Sequence, residues 1–328
     1  MRELQTLMIA ALMLGTGSTP SIAGTFDGNW VALIPPEQHC NRTAIMTLTL
    51  SGNQFQGQVR NPGDTEAFSG KIDADGIGTF LVYPHFPGII RFSGDHFDAN
   101  WNKENCSRHA LGDRAMTSAE SAAAFATRKQ LQASYADLTS RAAHGDPSVD
   151  FKALRVAYPY TDQWDPFGNK TTALLDQAAA AAGGKDCVTA LAKLDEVLKL
   201  DFTIDSAHAL RSDCLVESGD APTAKIESAI AYSLVNSLMS SGDGNAERTA
   251  YVVMTEREEM DVLANLHIVL KIRQTEVRGS DGHFYDEVQG TQAGDGSAVR
   301  TVYFDVTSFV SGRRSRMAAI DTLASTMP

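Results

Sequence analysis

The chain has 328 residues, 43% hydrophobic and 21% charged, with 26 glycines, 11 prolines and four cysteines. These values exclude collagen-like, low-complexity and wholly disordered chains, and the length suffices for about two domains that each bury a core. A formal net charge of −12 repels phosphate backbones and argues against nucleic acid as a partner.

Residues 1–23 read as a secretory signal. Arg2 is offset by Glu3, Leu7 to Leu14 form an apolar run, and the small residues Ser21 and Ala23 occupy the positions a signal peptidase inspects. Cleavage after Ala23 predicts a periplasmic or secreted protein beginning at Gly24. The run is shorter than the roughly 20 residues that span a bilayer. No cysteine follows the cleavage point to carry a lipid, and no later stretch predicts stable membrane insertion.

Export makes disulfides the expected state of the cysteines. Cys40 and Cys106 lie early, Cys187 and Cys214 late, and none forms a Cys-x-x-Cys or Cys-His pair, so zinc knuckles and thioredoxin-like motifs are not expected. Of the three connectivities, the domain split favours 40–106 with 187–214. His39 and His109 lie near the first pair and are expected to be exposed loop histidines, not metal ligands.

From Phe26 to Met116 the chain is a series of short β-type segments: 26–34, 44–50, 54–60, 67–72, 79–83, 88–92, 96–101 and 108–114. Ser51-Gly52-Asn53 and Asp73-Ala74-Asp75-Gly76 are hairpin signals, and Ala44, Met46, Leu48 and Leu50 alternate with Ile45, Thr47 and Thr49. Eight such strands predict an all-β barrel or sandwich over 24–116, a meander barrel being favoured. Its aromatics, Trp30, Phe55, Phe80, Phe92, Phe97 and Trp101 among them, are expected to be its core; a hollow barrel would instead hold one small ligand. Phe26-Asp27-Gly28-x-Trp30, Phe68-x-Gly70-x-Ile72-Asp73-x-Asp75-Gly76 and Phe92-Ser93-Gly94, followed by Phe97, Trp101, Cys106 and Arg114, resemble a small all-β module of exported bacterial proteins.

Thr117-Ser118-Ala119-Glu120 has capping-box spacing, and the alanine-rich stretch after it predicts one long helix. With few large apolar residues it reads as a helical linker over 117–149. Further helices are predicted over 150–158, 171–182, 186–200, 204–217 and 223–240. The turn at Gly219-Asp220, flanked by Ala207, Ala209, Ala229 and Tyr232, looks like a degenerate tetratricopeptide repeat, though too little of one to build an extended groove. After Gly242 the pattern alternates, predicting strands at 249–255, 263–276, 284–290 and 298–306. The second domain, 150–312, is therefore expected to be α+β, with tetratricopeptide-like helices on a four-stranded antiparallel sheet. Residues 313–328, with Arg313, Arg314 and Arg316, read as a frayed tail.

Phe151-x-x-Leu154-Arg155 with Tyr158, Ser240-Ser241-Gly242-Asp243-Gly244, Thr249-Ala250-Tyr251-Val252-Val253, Glu258-Glu259 and Val302-Tyr303-Phe304-Asp305-Val306 recur in order. Over about 150–310 they resemble an uncharacterised exported bacterial family, domain of unknown function forty-nine-nineteen. The family's Glu-Glu-Tyr is here Glu258-Glu259-Met260. The resemblance implies an address and a fold but no mechanism.

No nucleophile elbow, Ser-x-x-Lys, His-Glu-x-x-His or dinucleotide fingerprint is found, so no cofactor and no metal are assigned. Gly242-Asp243-Gly244 is expected to be a helix-to-strand turn, with a ligand-binding loop as the alternative. Glu256, Glu258, Glu259 and Asp261 form an acidic cluster placed at the end of the first C-terminal strand. Converging with His283 and Asp286, they would form a carboxylate set for a divalent cation or for acid–base hydrolysis. His208 and His267 are read as core or interface histidines. The leading expectation is a non-enzymatic binding or interaction module whose partner is another envelope protein. A hydrolase of an envelope polymer and a small-ligand carrier are the alternatives. The acidity lies mainly beyond residue 150, which suits a basic partner or divalent cations better than anionic lipid.

Overall fold

The computed structural model describes residues 26–34, 44–61, 63–82, 86–103, 106–292 and 299–326. The secretory signal, Cys40 and His39 lie outside them. Eight strands, β1 (Gly28–Ile34), β2 (Ala44–Ser51), β3 (Gln54–Asn61), β4 (Asp64–Ile72), β5 (Ile77–Val82), β6 (Phe86–Ser93), β7 (His96–Lys103) and β8 (Cys106–Arg114), form a closed antiparallel barrel. Each strand pairs with the next, and β1 closes on β8 through Trp30 opposite Arg114. The alternation read in β2 is the observed one: Ala44, Met46, Leu48 and Leu50 are buried.

The interior is filled by rings because glycines make room for them. Phe68 lies across from Gly57, Phe55 from Gly70, Phe80 from Gly88 and Phe97 from Gly112. A Cβ at Gly112 would fall 2.1 Å from the Phe97 ring, and one at Gly88 2.4 Å from Phe80. An aromatic laid over a cross-strand glycine is a known device for packing a curved sheet. Trp30, Phe92 and Phe97 then meet at tilted or edge-on angles, 5.0–6.2 Å between centroids. The barrel is thus a packed core among its described residues.

The second region begins with α1 (Ser118–Ala143), opened by the predicted capping box at Thr117 and Glu120. Its Leu138 and Ala142 enter a core with Leu154, Ile230 and Leu234, so it packs into this region along one face. It is followed by α2 (Phe151–Ala157), α3 (Thr172–Gly183), α4 (Cys187–Leu200), α5 (Asp205–Glu217) and α6 (Ala221–Met239). Asp186 and Asp220 cap α4 and α6 by accepting from Thr189 N and Thr223 N. The four-stranded sheet runs β10 (Ile268–Arg278), β11 (Phe284–Gln292), β12 (Val299–Asp305), β9 (Tyr251–Val252).

Three expectations are corrected here. The sheet is mixed: β9 is only two residues long and parallel to β12, because the intervening α7 (Glu256–Asn265) and the β10–β11 hairpin form a crossover. Glu258 and Glu259 consequently sit on a helix, not on a strand end. The segment read as a tail belongs to α8 (Thr307–Thr326), with Phe309, Val310, Met317 and Ala318 buried. Arg313 is buried against Asp113 of the barrel, and Arg316 donates to the carbonyls of Thr161 and Trp164. Charges that look solvated in sequence are here satisfied inside.

The late cysteines are also corrected. The Sγ atoms of Cys187 and Cys214 stand 2.7 Å apart as free thiols, beyond the about 2.05 Å of an S–S bond. Their mutual hydrogen bond, and then the one Cys187 donates to Glu217, push the Cys187 thiol up to about 12.

Candidate functional site

The barrel and the second region meet at a seam. Arg313 of α8 donates to both oxygens of Asp113 on β8, at 3.0 Å each. His96 Nδ1 lies 2.6 Å from Asp113, and Phe284 of β11 meets the His96 ring edge-on at 4.2 Å. All four are buried. Burial alone would raise the Asp113 carboxyl, but Arg313 and His96 outweigh it and hold the group far below the usual carboxylate range.

Beside this latch lies a cavity of about 260 Å³. The barrel contributes Asp98 from β7 with His109 and Leu111 from β8. The second region contributes Glu256 and Glu259 from α7, Arg273 from β10, Asp286 from β11, and an apolar wall of Phe167, Val306 and Phe309. Three of the six residues expected to converge, Glu256, Glu259 and Asp286, therefore do so.

Their placement follows from local sequence. Thr255 caps α7 by accepting from Glu258 N, and Glu256, Glu258 and Glu259 fill the first turn, where carboxylates suit the helix dipole. Glu259 is buried and hydrogen-bonded to Asp286. Burial and then the Asp286 charge hold the Glu259 carboxyl well above its ordinary value, with Arg273 working against them. Like charges in contact disfavour each other, so Glu259 holds a proton more tightly beside Asp286 than it would alone. Arg273 Nη1 bonds Glu256 at 2.5 Å, and Nη2 approaches Glu259 Oε2 at 2.9 Å off the hydrogen-bond direction. Glu259 Oε2 is thus buried without a hydrogen bond.

The other predicted residues are placed elsewhere. Glu258 turns inward to Arg155, which grips it with Nε at 2.7 Å and Nη2 at 2.9 Å, while Met254 N donates to it at 2.7 Å. Its oxygens are committed to structure. His283 is exposed on the turn before β11 and pairs with Asp305 at 2.9 Å, which raises its affinity for a proton. Among the described residues no three His, Cys, Asp or Glu side chains converge to hold a metal ion, so the divalent-cation set is not formed. Gly242-Asp243-Gly244 is a tight turn. Asp243 accepts from Asn245 N and Thr249 Oγ1, and Gly244, at φ +68°, accepts from Tyr303 N. A side chain at Gly242 would meet Ala250 O at 2.3 Å. His208 is fully buried between Glu227 and the Phe202 carbonyl as expected. His267 is instead exposed at positive φ, as the residue that ends α7.

A second acidic crevice, lined by Arg155, Asp201, Asp205, Glu258 and Asp261, has only about 10 Å³, room for a single water at most. Burial lifts Asp261 there to about 7, with Asp205 adding to the effect. Among the described residues no helix is long and apolar enough to cross a membrane. In comparisons with known proteins, the chain matches no family model and no curated protein.

Proposed function

We propose that this chain is an exported, non-enzymatic binding module of the cell envelope, and that the seam cavity is its ligand site. The observation that carries the reading is the cavity itself: two regions, held together by a buried latch, each supply polar side chains to one concave space with an apolar wall. Convergent polar groups in an apolar-walled hollow are the usual form of a small-ligand site. The packed barrel interior offers a weaker case for a carrier. The helix hairpins α3–α4 and α5–α6 support the tetratricopeptide-like reading, and with it a role in protein contacts. The resemblance of about 150–310 to the forty-nine-nineteen family supports the exported address, as do Ser21 and Ala23.

The test is a ligand-observed NMR screen of envelope metabolites against the chain and against Leu111→Trp, which fills the cavity. Binders lost in that variant are expected; binders that ignore it overturn the reading. Mass spectrometry of the expressed protein is expected to find Gly24 at its start.

A second reading follows from Glu259 lying against Asp286 with its carboxyl held above its ordinary value, which is the arrangement of an acid–base dyad able to activate water. It expects hydrolysis of an envelope polymer, abolished in Glu259→Gln and in Asp286→Asn.

A further inference from the structure

The composition of the cavity wall selects among ligands. Among the described residues four carboxyl groups face it, Asp98 from β7, Glu256 and Glu259 from α7 and Asp286 from β11, against the single guanidinium of Arg273 from β10. That guanidinium is already engaged by Glu256 and Glu259. His109 of β8 lies 3.2 Å from Asp98. An anion entering here would meet an excess of negative charge; a cation would meet acceptors. Glu259 Oε2 is buried with the Arg273 Nη2 ion pair at 2.9 Å but with no well-directed hydrogen bond, so its capacity as an acceptor is left for a better-directed donor. The opposite wall, Leu111, Phe167, Val306 and Phe309, suits a hydrocarbon body, and its rings attract a neighbouring positive charge. The volume of about 260 Å³ lies just below that of drug-sized sites, about 300–1,000 Å³, so the ligand is small.

We propose that the cavity takes a small organic ammonium ion, an alkyl- or arylamine whose nitrogen sits at the Glu259–Asp286 pair and whose hydrocarbon body lies on the apolar wall. The inference rests on the cavity being a ligand site and adds the charge of the ligand. The proton balance is simple: the ammonium enters with its own protons, both carboxyl groups become ionised around it, and one proton leaves to solvent. Cation binding is then opposed by acid. Where the pair holds its proton, affinity rises up to about tenfold per pH unit, the linkage slope for one proton released.

Titration calorimetry of the full chain with phenethylamine, phenethyl alcohol and 3-phenylpropionate tests this, in two buffers of different ionisation enthalpy and at pH values one unit apart. The expected result is that the amine alone binds, releases close to one proton and binds more tightly at the higher pH. Glu259→Gln keeps the amide–carboxylate contact but holds no proton, so it is expected to bind the amine without proton release. Asp286→Asn is expected to weaken binding at least about tenfold, the scale of losing one charge-assisted hydrogen bond. Binding of the alcohol or the propionate equal to the amine, lost in Leu111→Trp, overturns the ammonium assignment while leaving the cavity as a site. Amine binding unchanged in Leu111→Trp, or no binding by any of the three, overturns the assignment as well.

Discussion

Replacing Arg155 by leucine is expected to destabilise the fold by about 3–5 kcal/mol, the cost of stranding one partner of a buried ion pair. Arg155 and Glu258 are 2% and 6% exposed. The guanidinium reaches four elements at once: it lies on α2, grips Glu258 of α7, and donates to Val252 O on β9 and Ser237 Oγ on α6. Leucine removes all of these and leaves Glu258 ionised with only Met254 N to answer it. At about 2–4 °C per kcal/mol for a chain region of this size, thermal unfolding followed by circular dichroism should shift down by about 6–20 °C. The double variant Arg155→Leu with Glu258→Leu is expected to recover most of the loss, since an apolar replacement of both partners is often neutral. A single-variant loss below about 1 kcal/mol would show that the pair stands in water, as exposed pairs do.

The same residues mark how far a sequence carries. The barrel strands were legible because one face of each strand is buried, which imposes alternation, and because the turns at Gly52 and Gly76 require positive φ. The strand reading of 249–255 and 263–276 passed over α7, although Thr255-x-x-Glu258 has the spacing of a helix cap. That error hid what separates Glu258 from Glu259. Consecutive residues on a helix point about 100° apart, so one glutamate enters the core beside Arg155 while the next faces the seam. Residue type alone marked Glu258, Glu259, His283 and Asp286 equally. Glu259 and Asp286 meet only because α7 packs over the sheet. Asp98 and His109 gave no signal, being polar residues on the outside of a barrel, where solvation is the ordinary fate. Arg313 was lost with the tail, and Phe309, three residues past the last predicted strand, was given no role. Three arginines in four positions suggest solvent, and nothing local announces that Asp113, 200 residues earlier, waits for one of them.

Arg313→Met is expected to open the seam and, with it, the cavity. The latch and the ligand site share their elements in register. His96 stands two residues before Asp98 on β7, Asp113 two residues after Leu111 on β8, and Arg313 one helical turn beyond Phe309 on α8, so these three cavity residues are same-face neighbours of latch residues. Removing the guanidinium leaves the Asp113 charge buried with His96 alone, a loss of about 3–5 kcal/mol on the same ground as before. Acid provides the control. The Asp113 carboxyl is depressed in the folded protein, so its contribution is fully present above the unfolded value near 3.9 and disappears as pH falls toward the lower folded value. The other carboxylates titrate alike in both proteins. The difference in denaturant midpoint between wild type and Arg313→Met should therefore be large at neutral pH and shrink as pH falls through the acid range. A difference that stays constant into acid would mean that Arg313 acts through packing on Phe309 and not through Asp113. The variant should also bind the cavity ligand more weakly at neutral pH without any change to a residue that lines it, because this buried pair joins the elements that carry the two walls.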